Sequence, residues 1–165
     1  MGFRDTMIAL LQRAPTDAEA EQVVRDVSRT ALTAWRENRG GGLAGMQSVV
    51  NAIANRSKRD RVSFAAECAR RLQFSSMTAA GDPELTLWEP DGDAQAAQAL
   101  DLAACALAGT LKDITGGAVD YYAPRSIRSD KTYTTPDGAI VPFPHGWNPL
   151  AVKYCCTVAG QLFFR

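Results

Sequence analysis

Trp35-Arg36-Glu37-Asn38-Arg39-Gly40-Gly41-Gly42, followed at once by Leu43-Ala44-Gly45-Met46-Gln47, reads as a helix, a glycine stop and a second helix. The first helix runs up to a carboxylate, and Glu37 sits at its C-terminus in a sharp corner. The helix macrodipole places partial negative charge at that end and disfavours an ionised acid. A carboxyl group held protonated is what a general acid needs. The plain alternative is a solvated helix-end acid between Arg36 and Arg39, whose cations favour its charged form. Structural ion pairs of that kind are common. The local sequence leaves both readings open.

Upstream, Thr16-Asp17-Ala18-Glu19 has the form of a capping box, a hydroxyl acceptor with a glutamate three residues on. Ala20, Val23, Val24, Val27, Ala31, Leu32 and Trp35 then recur at helical spacing, with Glu21, Gln22, Arg25 and Asp26 on the other face. Downstream, Met46, Val49, Val50 and Ile53 form the apolar face of a helix over 44–56, widened by Ala52. Asn51 is polar within that face and needs partners. Asn55-Arg56 closes it. A third helix is predicted from the N-cap Ser63 to Leu72, an opening helix over 3–13, and a fourth from Asp93 to about Gly109. The alanines of that fourth helix, Ala96, Ala97, Ala103 and Ala104, permit close packing. Between the third and fourth lies a long irregular stretch, a length that in compact domains often serves function.

After Gly116-Gly117 the pattern changes. Ala118-Val119-Asp120-Tyr121-Tyr122-Ala123 reads as a strand ended by Pro124. Residues 133–141 read as a hairpin turning at Pro136-Asp137-Gly138. Residues 152–158 and 162–164 complete a small sheet across a turn at Ala159-Gly160. The chain is therefore α+β, a mostly helical lobe with a small C-terminal antiparallel sheet.

Its 165 residues make one domain, with 46% hydrophobic and 22% charged residues. The net charge is zero, which argues against a dedicated nucleic-acid binder. Cys68 and Cys105 fall on apolar helix faces and read as buried hydrophobes. Cys155-Cys156 would point to opposite faces of a strand. No Cys-x-x-Cys pair exists and His145 is the only histidine, so no metal or other cofactor is expected. The apolar run Met7-Ile8-Ala9-Leu10-Leu11 is too short for a signal peptide, and no stretch approaches a membrane span. The expectation is a chain made in the cytoplasm, with no membrane insertion.

The order of motifs resembles the cell wall hydrolase family of spore-cortex-lytic and germination-specific peptidoglycan enzymes. In that family a helix ends in Glu-Ala-Arg-Gly-Glu, followed by Gly-(Gln/Met), an apolar helix and Asn-Arg. Here Glu37-Asn38-Arg39-Gly40-Gly41 precedes Gly45-Met46, the apolar run to Ala54, and Asn55-Arg56. Gln73-Phe74-Ser75 matches the family's Gln-Phe-Ser. Gly117-Ala118-Val119-Asp120-Tyr121-Tyr122-Ala123-Pro124 matches its Gly-Ala-x-x-Tyr-Tyr-x-Pro, and Trp147 and Phe163-Phe164 match its later aromatics. The likeness covers 30–165, leaving 1–29 as an N-terminal helical extension of a single catalytic domain. Two positions depart: Gly41 replaces a second glutamate, and Gln161 replaces a histidine.

The resemblance implies a lysozyme- or transglycosylase-like lobe that cleaves peptidoglycan glycan strands between N-acetylmuramic acid and N-acetylglucosamine. Glu37 maps onto the family's catalytic acid. It would protonate the leaving oxygen, and in the lytic transglycosylase route it would then deprotonate the muramic acid C6 hydroxyl to give a 1,6-anhydro sugar. A lysozyme-like muramidase would use a second carboxylate. Asp82, Glu84, Asp120 and Asp130 are in the right part of the chain, and none stands out. Gln73, Ser75, Tyr121, Tyr122 and Trp147 are the expected substrate-binding lining, although Phe74 and one of the two tyrosines should be core. The missing signal peptide fits a phage endolysin or virion-associated lysin, delivered through a holin pore or with the particle. An inactive, glycan-binding or structural relative is the alternative that Gly41 and Gln161 favour.

Overall fold

A computed structural model of the chain describes residues 2–70, Phe74, Trp88 and 91–165. Its helices are α1 Phe3–Gln12, α2 Asp17–Asn38, α3 Gly42–Asp60, α4 Phe64–Cys68 and α5 Ala94–Leu107. Strands β1 Asp120–Tyr122, β2 Thr132–Thr134, β3 Ile140–Pro142, β4 Tyr154–Val158 and β5 Gln161–Phe164 follow. The chain is α+β, about 52% helical with small antiparallel sheets at the C-terminal end.

The caps explain where the helices begin. Thr16 Oγ1 accepts from the Glu19 backbone N–H at 3.3 Å and donates its own hydrogen to Glu19 Oε2 at 2.7 Å. Ser63 caps α4 and Asp93 caps α5, each accepting from a backbone N–H of the first turn. Helix α3 is longer than the apolar face alone predicts, running four residues past Arg56 before Arg61 ends it in a left-handed conformation at φ 56°. Helix α4 is shorter than predicted and stops at Cys68. Leu72 lies outside the described residues.

Two cores form. The larger joins α2, α3 and α5 through Val27, Ala31, Trp35, Met46, Val49, Val50 and Ile53, with Cys68 and Phe74 also buried. Ala96, Ala103 and Ala104 of α5 are buried in the same core, as predicted, whereas Ala97 is exposed and Ala99 takes the buried place. Each fully buried Val or Ile contributes about 1.5–3 kcal/mol. Cys105 departs from expectation, because it is only partly buried at the edge of this core.

The smaller core is aromatic: Tyr122, Phe143, Leu162 and Phe164, flanked by Tyr133, Trp147 and Tyr154. The C-terminal strands form two sheets where one was expected. β1, β5 and β4 make a three-stranded antiparallel sheet in that order, and β2–β3 is a separate hairpin turning at Pro136-Asp137-Gly138. An edge-to-face aromatic contact joins them, Tyr133 of β2 lying 5.5 Å from the Phe164 ring.

β5 is buried along its whole length, between the aromatic core and a small apolar seam. Alternation turns Leu162 and Phe164 to the aromatic cluster, and Phe163 to a seam with Ala52 of α3 and Ala118. Cys155 and Cys156 correct the sequence expectation, since both pack against that same seam. The pairing slips between Tyr154 and Cys156. The extra residue breaks the alternation that would have sent the two thiols to opposite faces.

Burial makes the cores sensitive to alkali. It pushes the Cys68 thiol from 9.0 up to about 11, with the Thr33 and Thr30 hydroxyls partly offsetting it. Burial, with Tyr133 nearby, pushes Tyr122 from 10.0 up to about 12. Both folded-state values are raised, so the native state holds protons that the unfolded chain releases. Their contribution to stability is complete below pH 9 and is lost as pH rises toward 12. The expected urea midpoint is therefore flat to about pH 9 and falls above it, and a midpoint unchanged at pH 11 would contradict this.

Candidate active site

Glu37 occupies the last turn of α2, and the corner behind it is built by Asn38. That residue leaves helical geometry at φ −152°, ψ 37°, and a single 3-10 turn, Arg39–Gly41, leads into α3. Gly42 makes the reversal at φ 63°, a backbone region that favours glycine. The Asn38 side chain fills the inside of the corner. A Cβ on Gly41 would lie 2.7 Å from Asn38 Oδ1 and 2.7 Å from Ala159 Cβ. One on Gly45 would lie 2.8 Å from Asn38 Nδ2. Gly41 is thus the residue that fits here, since any side chain at this position would force Ala159 or Asn38 to shift. From this nest Asn38 Nδ2 donates to Gln161 Oε1 of β5 at 2.9 Å, with both residues 7% exposed.

Tyr121 of β1 faces Glu37. Its hydroxyl is buried, and burial holds it well above the ordinary tyrosine value of 10.0. The negative charge and hydrogen-bonding reach of Glu37 raise it further, and the Arg56 cation opposes them. Tyr121 is therefore a neutral O–H group at any working pH, set against a carboxylate. Its ring stacks on Phe163 at 5.3 Å, which fixes its direction.

The cations flanking Glu37 in sequence do not simply crowd it. The Arg39 guanidinium lies over the Trp35 ring, 4.2 Å from its centroid, and the Arg39 carbonyl accepts from Gln95 Nε2 at 2.9 Å. Trp35 Nε1 in turn donates to Asp93 Oδ2 at 2.7 Å. Arg36 is half-buried beside Glu37.

Helix α3 ties the corner to the strand that carries Tyr121. Asn51 Oδ1 accepts from the Ile114 N–H at 3.1 Å, so the polar residue within the apolar face finds a loop backbone, as expected. Asn55 Nδ2 donates to the Ala118 carbonyl at 3.0 Å and to Asp113 Oδ2 at 3.2 Å. Arg56 Nε donates to the Val119 carbonyl and Nη2 to Asp120 Oδ1, the latter at 3.3 Å. The Asn-Arg pair is a clamp on the start of β1.

Three other acids of this region, Asp93, Asp113 and Asp120, are engaged in structure. Asp93 caps α5. Burial pushes Asp113 up, but hydrogen bonds from Thr115, Asn55 and Gly117 outweigh it and hold its carboxyl below the usual range. Asp120 pairs with Arg56, and Asp130 lies 3.5 Å from His145 with both side chains well exposed. Asp82 and Glu84 lie outside the described residues, as do Gln73 and Ser75. Among the described residues, no three of His, Cys, Asp and Glu gather as a metal site, and no helix is long and apolar enough to cross a membrane.

The expected lining separates into two groups. Tyr121 is brought to Glu37. Tyr122 is buried on the opposite face of β1, its ring 5.6 Å from Trp147 in the aromatic core, so these two meet each other and belong to the cluster behind the sheet. Asn38 escaped the sequence reading. Its signal was the pair of glycines three and seven positions on, which leave one helix face empty beside it. A comparison with protein-family models, curated proteins and solved structures finds no match.

Proposed function

We propose that the chain cleaves peptidoglycan glycan strands at the N-acetylmuramic acid–N-acetylglucosamine bond as a lytic transglycosylase, with Glu37 as its single acid and base on a lysozyme-like helical lobe. The observation that carries this reading is the placement of Glu37 at the helix corner, against the buried Tyr121 hydroxyl. The motif order from Glu37 to Phe164 supplies the substrate class.

In this mechanism the Glu37 carboxyl gives its proton to the glycosidic oxygen as the bond to the muramic acid C1 breaks. The resulting carboxylate faces the oxocarbenium-like sugar. It then takes the proton of the C6 hydroxyl as that oxygen bonds to C1, closing the anhydro ring. The proton returns to Glu37 and no water is consumed. Tyr121 stays protonated throughout and stabilises the carboxylate stage.

The engagement of Asp93, Asp113 and Asp120 in structural contacts favours the single-acid route over a muramidase, which needs a second carboxylate at a defined separation. Purified peptidoglycan digested with the chain and analysed by mass spectrometry tests the reading. Anhydro-ended fragments, one water lighter than hydrolysis products, are the expected result. Reducing ends would make it a muramidase, and an undigested glycan would leave a binding or structural relative.

A further inference from the structure

We infer that Asn38 and Gln161 are positioning residues, a buried amide pair that sets the distance between Glu37 and Tyr121. The inference rests on the acid role of Glu37 proposed above. Three observations carry it. Asn38 is the residue next to Glu37, and its own break from helical geometry, φ −152° and ψ 37°, determines where α2 ends. Its side chain cannot drift, because Gly41 and Gly45 lie so close that a Cβ on either would meet it at 2.7–2.8 Å. Its hydrogen bond of 2.9 Å to Gln161 Oε1 crosses from the helical lobe to the sheet.

The strand it reaches is the one that also holds Tyr121. β5 begins at Gln161, and Tyr121 pairs opposite Phe163, two residues further on. One short strand thus grips the acid's helix at one end and the tyrosine's strand along its length. A stretch of that bond would move Glu37 away from Tyr121 with no other residue changed. Both partners are amides, so the grip carries no charge and does not titrate. A conformationally strict link next to a reacting group is where small displacements are costly, about 100-fold for an ångström.

The test compares Gln161→Met, Gln161→Glu and the double variant Asn38→Leu/Gln161→Met with the wild-type chain, in peptidoglycan digestion and thermal unfolding. Gln161→Met strands the Asn38 amide. It is expected to lower kcat roughly 10- to 100-fold with KM within about two-fold of wild type. Gln161→Glu keeps an acceptor oxygen for Asn38 Nδ2 and is expected to recover most of that kcat. The double variant removes the stranded amide and regains melting temperature, yet its kcat stays low, which a purely structural role would not produce. A wild-type kcat in Gln161→Met, or in the double variant, overturns the inference while leaving the acid role of Glu37 intact. If Gln161→Met does not fold, the kcat of Gln161→Glu decides, since a value as low as that of an inactive variant also overturns it. No turnover by the wild-type chain would remove both.

Discussion

Glu37→Gln is expected to lose glycan cleavage by about 10²- to 10⁴-fold, the usual worth of a positioned acid-base group, while folding as before. The glutamine has the same size and can still donate a hydrogen bond, but it has no acidic proton to give the leaving oxygen. Folding should survive because the corner is held by neighbours. Asn38 packs on Gly41 and Gly45 and bonds Gln161, and none of these contacts passes through the Glu37 side chain. Stability should fall by no more than about 1 kcal/mol, because Glu37 is half-buried and the glutamine can still hydrogen-bond the Tyr121 hydroxyl. The change has a second signature. Burial is the main reason the Tyr121 hydroxyl is held high, and the Glu37 charge adds to it. Removing that charge should bring the tyrosine's titration down toward, without reaching, its ordinary value. A Glu37→Gln chain that still releases anhydro fragments at the wild-type rate would take Glu37 out of the mechanism.

The corner shows how far the sequence could be read. Three consecutive glycines after a capped, four-turn apolar face left only a helix–turn–helix solution, and the stretch folds that way. Local signals of this sort survive because each acts within a few residues: a hydroxyl at Thr16, an acid three positions later, a turn at Pro136-Asp137-Gly138. What the sequence could not show was long-range. Nothing local says that Asn38 reaches across to Gln161, or that Tyr121 and Tyr122 serve different cores, until β1 and β5 are in register. The same holds for the cysteines of β4. Two adjacent residues alternate on an ideal strand, and only the slipped pairing with β5 puts both on one side. The departures of Gly41 and Gln161 from the family pattern looked like losses in the sequence. In the fold they are complementary parts of one contact, with Gly41 making room for Asn38 and Gln161 receiving its hydrogen.

Arg56→Met is expected to cost about 3 kcal/mol, the largest stability loss of any single substitution at the site. Asn51 and Asn55, one turn apart on α3, and Arg56 next to Asn55 reach the segment 114–120 that opens the sheet. Arg56 is 5% exposed, and its guanidinium lies 5.4 Å from the Phe74 ring and 5.8 Å from the Tyr121 ring. Methionine would keep the apolar stem and lose the head, stranding the Val119 carbonyl at the joint between the lobes. The ion pair itself accounts for little of the loss, because the Asp120 side chain is 39% exposed and water can replace its partner. Most of the cost is the charge-assisted bond to the part-buried Val119 carbonyl, worth about 1.5–3 kcal/mol, plus weaker contacts to the two rings. Arg56→Lys should recover only part of it, since an ammonium cannot serve the Val119 carbonyl and Asp120 with the fixed fork of a guanidinium. Urea unfolding would show a lower midpoint with an unchanged slope, because the same surface is exposed when the variant unfolds. A loss under about 0.5 kcal/mol would mean that the seam of Ala52, Ala118 and Phe163 holds the lobes together without the clamp. Catalysis should fall along with stability, for a reason separate from it. With Val119 and Asp120 released, Asn55 and the Phe163 stack still hold the start of β1 and the Tyr121 ring, but more loosely, so Tyr121 meets Glu37 from a less fixed direction.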